Sequence, residues 1–227
     1  ENGDDHVTFL LHSPEGDQGY PGALDMKVTY TLDEENGLTI HYEAVPDQDT
    51  VINMTNHSYF NLNGHKSGSV LHHRMQLLSD AFTPADAQSI PTGEVCSVDG
   101  TPMDFRSTKE LGAEIDAAYE PLILGNGYDH NWVLKNEGRF DKVAEVTGDE
   151  SGIVMEVWTD RPGVQVYTAN FLENEAGRNG AVYQKRDAVC LETQNYPDAV
   201  HQKNFPEAIC KKGETYDTKT AYRFHIE

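Results

Sequence analysis

Basic residues are scarce in this sequence of 227 residues. Lysine and arginine number 17 against 38 aspartates and glutamates, so the formal net charge at pH 7 is −21. A surface of that sign repels polyanions, which argues against nucleic acid and anionic membranes as partners. It also disfavours a multiply anionic substrate, whereas a neutral polar substrate is compatible with it.

Cysteine is rare as well. Cys96, Cys190 and Cys210 form no Cys-x-x-Cys pair and are odd in number, so we expect free thiols in a reducing compartment such as the cytoplasm. Cys190 lies in an apolar run, where the role of a small core side chain is expected. Long apolar runs are absent too, since no stretch approaches the ~18 residues of a membrane span.

The usual signatures of nucleotide and metal chemistry are missing. The sequence has no P-loop, no glycine motif for a dinucleotide and no metalloprotease helix. The adjacent pair His72 and His73 lies on a predicted strand, so the two side chains would face opposite sides and could not chelate one metal.

What the sequence does contain is a repeated alternation of apolar and polar residues. Residues 24–32 and 38–44 both alternate in this way, and the turn at Asn36-Gly37 separates them. This arrangement is typical of an antiparallel hairpin with one face exposed to water. Similar patterns predict strands at 7–11, 24–32, 38–44, 51–55, 70–78, 143–146, 153–159, 164–172, 188–191 and 221–226. Short strands separated by turns favour an all-β sandwich or barrel, and the lack of repeats and linkers predicts a single domain over 1–227.

One short helix is expected. Residues 107–110 have the form of a capping box, and Leu111, Ile115 and Ala118 then fall on one side of a helical turn. The segment 79–104 holds three prolines and little periodicity, which predicts a long crossing loop with short strands.

Glu192 is the first candidate for chemistry. It follows an apolar strand and precedes Thr193, Gln194 and Asn195, before the chain breaks at Pro197. A carboxylate at such a point is partly desolvated, which raises its pKa toward the range of a general base. The alternative is a glutamate at a strand end that faces water.

Three further residues could act with it. His57 lies where an apolar strand gives way to hydrogen-bonding side chains, so it is either a proton donor or a structural histidine. Asp129 stands beside an amide and Trp132, a set that suits carbohydrate, and the alternative is an ordinary Asx turn before a strand. Gln165 is polar in an apolar strand and either points outward or binds a ligand.

Taken together, six stretches resemble the aldose 1-epimerase (galactose mutarotase) family, in the order of that family and across nearly the whole chain. They are Tyr20-Pro21-Gly22, Asn56-His57-Ser58-Tyr59-Phe60-Asn61-Leu62, Pro91-Thr92-Gly93-Glu94-Val95, Gly127-Tyr128-Asp129-His130-Asn131, Pro162 to Leu172, and Leu191 to Ala199.

The resemblance implies an all-β fold, the antiparallel β-supersandwich of galactose mutarotases, and interconversion of the α and β anomers of free hexoses. It implies that His57 is the general acid and Glu192 the general base. Asp129 would hold sugar hydroxyls, with Gln165 and Asn56 as further substrate-binding residues. Neither a metal nor an organic cofactor is needed for this reaction.

The N-terminal part of the sequence differs from that of the family. Members carry an N-terminal region with a glycine-rich stretch and an arginine and a histidine that contact the sugar, and no segment here matches it. A sandwich without its first strands would expose sheet edges and apolar surface. We therefore expect a separate N-terminal fragment, or a second copy of the chain, to complete the sandwich.

Two alternative functions stay open. A relative that acts on hexose 6-phosphates would need a cluster of basic residues near its pocket. The sequence shows no such cluster beside the six motifs. A sugar-binding module without turnover would keep the pocket but lack the reaction.

Overall fold

Two antiparallel β-sheets packed on each other form the body of the protein. The computed structural model describes all of residues 1–227. The strands are β1 (His6–Ser13), β2 (Leu24–Leu32), β3 (Gly37–Pro46), β4 (Thr50–Val51), β5 (Arg74–Leu77), β6 (Ala81–Thr83), β7 (Cys96–Ser97), β8 (Lys109–Glu110), β9 (Asp129–Val133), β10 (Asp141–Thr147), β11 (Ile153–Thr159), β12 (Gly163–Tyr167), β13 (Glu175–Ala176), β14 (Val182–Tyr183), β15 (Cys190–Gln194), β16 (Ile209–Cys210) and β17 (Tyr216–Ile226).

Helical structure is confined to short pieces. There is one α-helix, α1 (Glu120–Leu124), and there are 3-10 turns at Asp17–Gly19, Arg178–Gly180 and Ala199–His201. None of these helices is both long enough and apolar enough to cross a membrane.

The larger sheet has eight strands in the order β1-β2-β3-β17-β11-β10-β5-β8, and the smaller has five in the order β15-β12-β9-β6-β7. Two further pairs, β13-β14 and β16-β4, stand apart from them. All neighbouring strands run antiparallel. The all-β prediction is therefore confirmed.

The core lies between the two large sheets. A cluster of 26 buried residues takes Met75 and Val157 from the larger sheet and Trp132, Val166 and Leu191 from the smaller one. Because both sheets bury one face in the same cluster, the other face of each is free to be polar. A single domain over 1–227 stays a prediction, and this shared core supports it.

The hairpins that the sequence predicts are present. β2 and β3 pair from Leu24 opposite Pro46 to Leu32 opposite Leu38, and Asn36 takes a φ of 60° in the turn between them. β10 and β11 form the second hairpin around residues 148–152. The loop predicted over 79–104 is also found, with the short strands β6 and β7 inside it.

The helix predicted after residue 107 is wrong. Lys109 and Glu110 pair instead with β5, and the backbone N–H groups of Leu111 and Gly112 donate to the carbonyls of His73 and Leu71. Because these N–H groups already donate to carbonyls of another segment, they cannot form the hydrogen bonds of a helical turn. The one helix forms later, where Pro121 stands in its first turn and presets the backbone angle.

Three predicted strands are shorter than their apolar patterns. Of the predicted strand 51–55 only Val51 is in a strand, β4 (Thr50–Val51), and of 70–78 only Arg74–Leu77 is. The pattern over 164–172 ends as a strand at Tyr167, and Ala169 has a φ of 50° that turns the chain away. Beyond the strand ends Ile52, Val70 and Ala169 are still buried, whereas Leu78 and Phe171 are exposed.

Candidate active site

The three strands β9, β12 and β15 carry the chemistry on the face of the smaller sheet that is turned away from the core. Side chains alternate between the faces of a strand, so Trp132, Val166 and Leu191 enter the core while their neighbours point outward. Gln165 lies directly opposite Glu192 on one side and Asn131 on the other. The alternation that builds the core therefore also gathers polar groups on the outer face.

Glu192 is the most buried acid of this face. The residue is only 8% exposed, and burial raises the pKa of its carboxyl group to about 7, with a further contribution from the charge of Asp129. A carboxyl group with this pKa exchanges protons near neutral pH, as a general base must.

Asp129 and Gln165 form a fixed pair beside it. Gln165 Nε2 donates a hydrogen bond to Asp129 Oδ1 at 2.8 Å. Burial raises the pKa of Asp129, and the hydrogen bond from Gln165 opposes that rise. Gln165 Oε1 is buried without a hydrogen-bond partner, so this amide oxygen can accept a bond from a ligand hydroxyl.

His57 approaches Glu192 from outside the sheet. It lies in the irregular segment between β4 and β5, and its Nε2 is 3.4 Å from Glu192 Oε1. The His57 side chain is half exposed, and its ring stacks on Tyr59 and meets the edge of Tyr167. The acid and the base implied by the sequence are thus in contact.

These residues line a cavity of about 350 Å³. The complete lining is His57, Tyr59, Asp129, Gln165, Tyr167, Phe171, Glu192, Gln194 and Pro197. It contains no lysine or arginine. Three aromatic rings and several amide or carboxylate groups surround one space, a combination that suits a neutral polyhydroxyl ligand.

Four of the five candidate residues lie in this lining, and the fifth does not. The side chain of Asn56 turns away toward Tyr30 Oη, at 3.4 Å, and its Oδ1 accepts a bond from the backbone of Ser58. The structure thus places Asn56 beside the turn that carries His57 rather than in the pocket wall.

Five lining residues were not singled out from the sequence. They are Tyr59, Tyr167, Phe171, Gln194 and Pro197. Period-two counting could have found two of them, because Tyr167 is two residues from Gln165 and Gln194 is two residues from Glu192. Tyr59, Phe171 and Pro197 lie on loops, where no periodicity shows the direction of a side chain.

A larger cavity of about 630 Å³ lies elsewhere, beside Trp158. It holds Arg106, Lys135 and Lys142, but each of these cations is already paired with carboxylates. An anionic ligand would therefore have to displace existing ion pairs. We place the candidate site at the smaller cavity because acid, base and hydroxyl-binding groups meet there.

One set of residues has the composition of a metal site. Ligand atoms of His57, Cys190 and Glu192 all lie within 4.8 Å of one another. The pair His72 and His73 does not form such a set, because His72 bonds Glu110 at the surface whereas His73 is buried and bonded to Asp149.

Comparison with known proteins identifies a family. The family model for aldose 1-epimerase matches residues 1–223. Galactose mutarotase from Homo sapiens is 45% identical over 221 residues, which cover 97% of this chain and 63% of the human protein. Aldose 1-epimerase from Escherichia coli K12 is 37% identical over 227 residues, or 99% of this chain and 65% of that protein.

Solved structures agree with this result. The aldose epimerase homologue from C. elegans superposes with a TM-score of 0.90 at 28% identity, covering all of this chain and 67% of that one. Galactose 1-epimerase from Lactobacillus acidophilus superposes with a TM-score of 0.85 at 27% identity, covering all of this chain and 65% of that one. The chain thus spans 63% to 65% of the length of these two curated relatives.

Proposed function

The chain belongs to the aldose 1-epimerase family, and on that premise we propose that its pocket interconverts the α and β anomers of free aldohexoses such as galactose and glucose. The observation that carries the proposal is the contact between His57 and Glu192, a histidine and a carboxyl group whose pKa lies at about 7. Ring opening requires one group that takes a proton and a second group that gives one, on opposite sides of the sugar.

In this proposal Glu192 acts as the base and His57 as the acid. The carboxylate of Glu192 takes the proton from the hydroxyl at C1 while protonated His57 gives its proton to the ring oxygen. The C1–O5 bond breaks and C1 becomes an aldehyde. After rotation about the C1–C2 bond the same two protons return as the ring closes on the other face, so no proton is gained or lost.

The 3.4 Å contact leaves no room for a sugar between the two groups, so substrate must separate them. Glu192 is held in strand β15, which is bonded to β12 along its length, whereas His57 stands on an irregular segment with half of its side chain exposed. We therefore assign the movement to His57. The sugar would enter with C1 on Glu192, and His57 would close over the ring oxygen.

In this proposal the sugar is oriented by Asp129, Gln165 and the aromatic rings of the pocket. The free Oδ2 of Asp129 and the unpartnered Oε1 of Gln165 can each accept a hydrogen bond from a sugar hydroxyl. Tyr167 and Phe171 stack with ring centroids 6.3 Å apart and offer an apolar surface to the faces of the sugar. The absence of any lysine or arginine from the lining disfavours a hexose 6-phosphate as substrate.

Polarimetry of freshly dissolved α-D-galactose tests the proposal. The purified chain should speed the decay of optical rotation beyond the rate in buffer, and Glu192→Gln should lower that acceleration by about 100-fold or more. Glu175→Gln, on the exposed pair β13-β14, serves as the matched control and should behave as the parent chain.

Two results would go against an enzyme. No acceleration by a folded parent chain would contradict turnover by this chain alone. If both the parent chain and Glu192→Gln bind galactose with equal affinity and neither speeds the decay, the pocket belongs to a sugar-binding module.

We further propose that a second copy of this chain, or a separate N-terminal fragment, covers the β1-β2-β3 end of the larger sheet on the face that carries Val28, Tyr30 and Tyr42, which is the face that packs on the core. A groove of about 670 Å³ there is lined mainly by apolar side chains, and Phe9 within it is 59% exposed. Apolar surface of this kind is typical of an interaction site. The three free cysteines are compatible with a reducing compartment such as the cytoplasm.

A further inference from the structure

Beside the pocket, three different kinds of metal ligand lie close together. An imidazole nitrogen of His57, the thiol of Cys190 and a carboxylate oxygen of Glu192 all lie within 4.8 Å of one another. Cys190 and Glu192 are two residues apart on β15, so their side chains share the outer face of the sheet. Cys190 is fully buried, and it lies opposite Tyr167 on the neighbouring strand and in the same small apolar cluster.

We propose that His57, Cys190 and Glu192 bind a thiophilic divalent cation of the class of Zn²⁺, and that the bound ion blocks the sugar reaction. The imidazole, the thiolate and the carboxylate are the three ligand types that zinc sites use. The thiol proton passes to solvent on binding, and the thiolate and carboxylate charges then balance the ion. The fourth tetrahedral position would face the pocket.

The distances permit such a site after a small adjustment. Zinc bonds of about 2.0 to 2.3 Å place two tetrahedral ligand atoms about 3.3 to 3.7 Å apart. His57 Nε2 and Glu192 Oε1, at 3.4 Å, already meet this condition. Only the thiol must draw closer, by about 1 Å at most, and the irregular segment that carries His57 can adjust with it.

The charge of the surroundings favours a cation. Burial is the main cause that raises the pKa of Glu192 and of Cys190, and the negative charge of Asp129 adds to the rise in both. No lysine or arginine lines the cavity. A cation between these groups is attracted by the same field that makes a second negative charge unfavourable.

The consequence for activity follows from the residues involved. His57 and Glu192 are the proposed acid and base, and neither can carry a proton while it holds a metal ion. Zinc would therefore inhibit in competition with the sugar, and a chelator would restore the rate. This inhibitory part rests on the proposed function, whereas binding of the ion does not.

Equilibrium dialysis with Zn²⁺ tests the binding without any need for turnover. The parent chain should take up one equivalent, and Cys190→Ala and His57→Ala should each weaken binding by about tenfold or more. Cys96→Ala is the matched control, because Cys96 is a free thiol outside the trio and should leave the affinity unchanged. Cobalt(II) in place of zinc should show a thiolate charge-transfer band that Cys190→Ala removes.

The proposal is overturned if the parent chain takes up no zinc, or if Cys190→Ala binds zinc as tightly as the parent chain. Should Cys190→Ala fail to fold, unchanged affinity in His57→Ala, whose side chain is half exposed, overturns it equally. Zinc uptake at Cys190 without inhibition of an active chain contradicts the inhibitory part. Zinc uptake by a chain that does not turn over sugar contradicts only the proposed function.

Discussion

At Glu192, burial and a neighbouring charge act on the carboxyl group in the same direction. Burial makes the larger contribution to its raised pKa, and the charge of Asp129 adds to it. The cost of holding two acids near each other is reduced by Gln165, whose amide donates to Asp129 and holds that carboxylate in place. These three side chains therefore act as one unit in setting the proton affinity of the base.

The pH dependence of the proposed reaction follows from this unit. Glu192 acts as a base only when ionised, so kcat/KM should fall as the pH drops through about 7. Asp129→Asn removes the neighbouring charge but leaves the burial, so the acidic limb should move to lower pH without reaching the ordinary range of a glutamate. The acidic limb of the parent chain and that of Asp129→Asn would both be measured from initial rates of mutarotation between pH 5 and pH 9, about two units on either side of that midpoint. Each rate is corrected for the rate in buffer.

Asp99→Asn is the control for this shift, since the side chain of Asp99 is 78% exposed and lies outside the pocket. Its acidic limb should coincide with that of the parent chain. An Asp129→Asn profile that coincides with the parent profile as well would show that the charge of Asp129 does not act on Glu192.

At the scale of elements, the site combines a rigid platform with a movable segment. β12 lies between β9 and β15 and is bonded to both, so Asp129, Gln165 and Glu192 are held by a continuous ladder. His57 is carried by a segment without regular strand structure. The proposed base is therefore fixed, and the proposed acid is the part that can move when a sugar enters.

The short helix α1 offers a test of how loops complete the core. Leu122 is 2% exposed and belongs to the central cluster, whereas its neighbour Ile123 is 66% exposed. Leu122→Ala should lower the free energy of unfolding by about 2 to 5 kcal/mol, because it leaves a cavity in the core. Urea denaturation followed by tryptophan fluorescence would measure the change.

Ile123→Ala is the matched variant on the same helix. It removes a side chain of the same size from an exposed position and should change the free energy of unfolding by about 0.5 kcal/mol or less. Equal losses in the two variants would mean that α1 does not pack on the core in the way the structure describes.

At the scale of the whole molecule, one end of the larger sheet is apolar and uncovered. β1 is the outermost strand of that sheet, and Phe9 and Leu11, which share one face of it, are both more than half exposed. An edge strand with this composition invites pairing with another chain. The high negative charge of the surface opposes non-specific clustering, so a specific partner is favoured over aggregation.

The mass in solution should therefore exceed the 25.3 kDa of one chain when native material is analysed by size-exclusion chromatography with light scattering. Phe9→Glu places a charge in the apolar groove and should shift the population toward one chain. Leu10→Glu is the control, because Leu10 is as exposed but lies on the opposite face of the strand. A stable monomer of the parent chain, without bound fragments, would contradict the proposal of a covering partner.

Local pattern was sufficient for the fold class and for several of its parts. The alternation over 24–44 predicted β2 and β3, since strand periodicity and the Asn36-Gly37 turn act between neighbours in the chain. The apolar run before Glu192 predicted β15 and the buried carboxylate at its polar end. His57, Asp129 and Gln165 were predicted through the motifs that resemble the family, and the structure brings all three into one cavity.

Only the tertiary structure decided the rest, because the deciding partners are distant in sequence. The residues after 107 have helical spacing, but their backbone donors bond the segment around Leu71, about 40 residues earlier. Cys190 reads as a small core residue, and it becomes a potential metal ligand only when His57 folds over β15. The side chains of Tyr59 and Asn56 are close in the chain but take different directions, toward the pocket and toward Tyr30, and no local pattern encodes that choice.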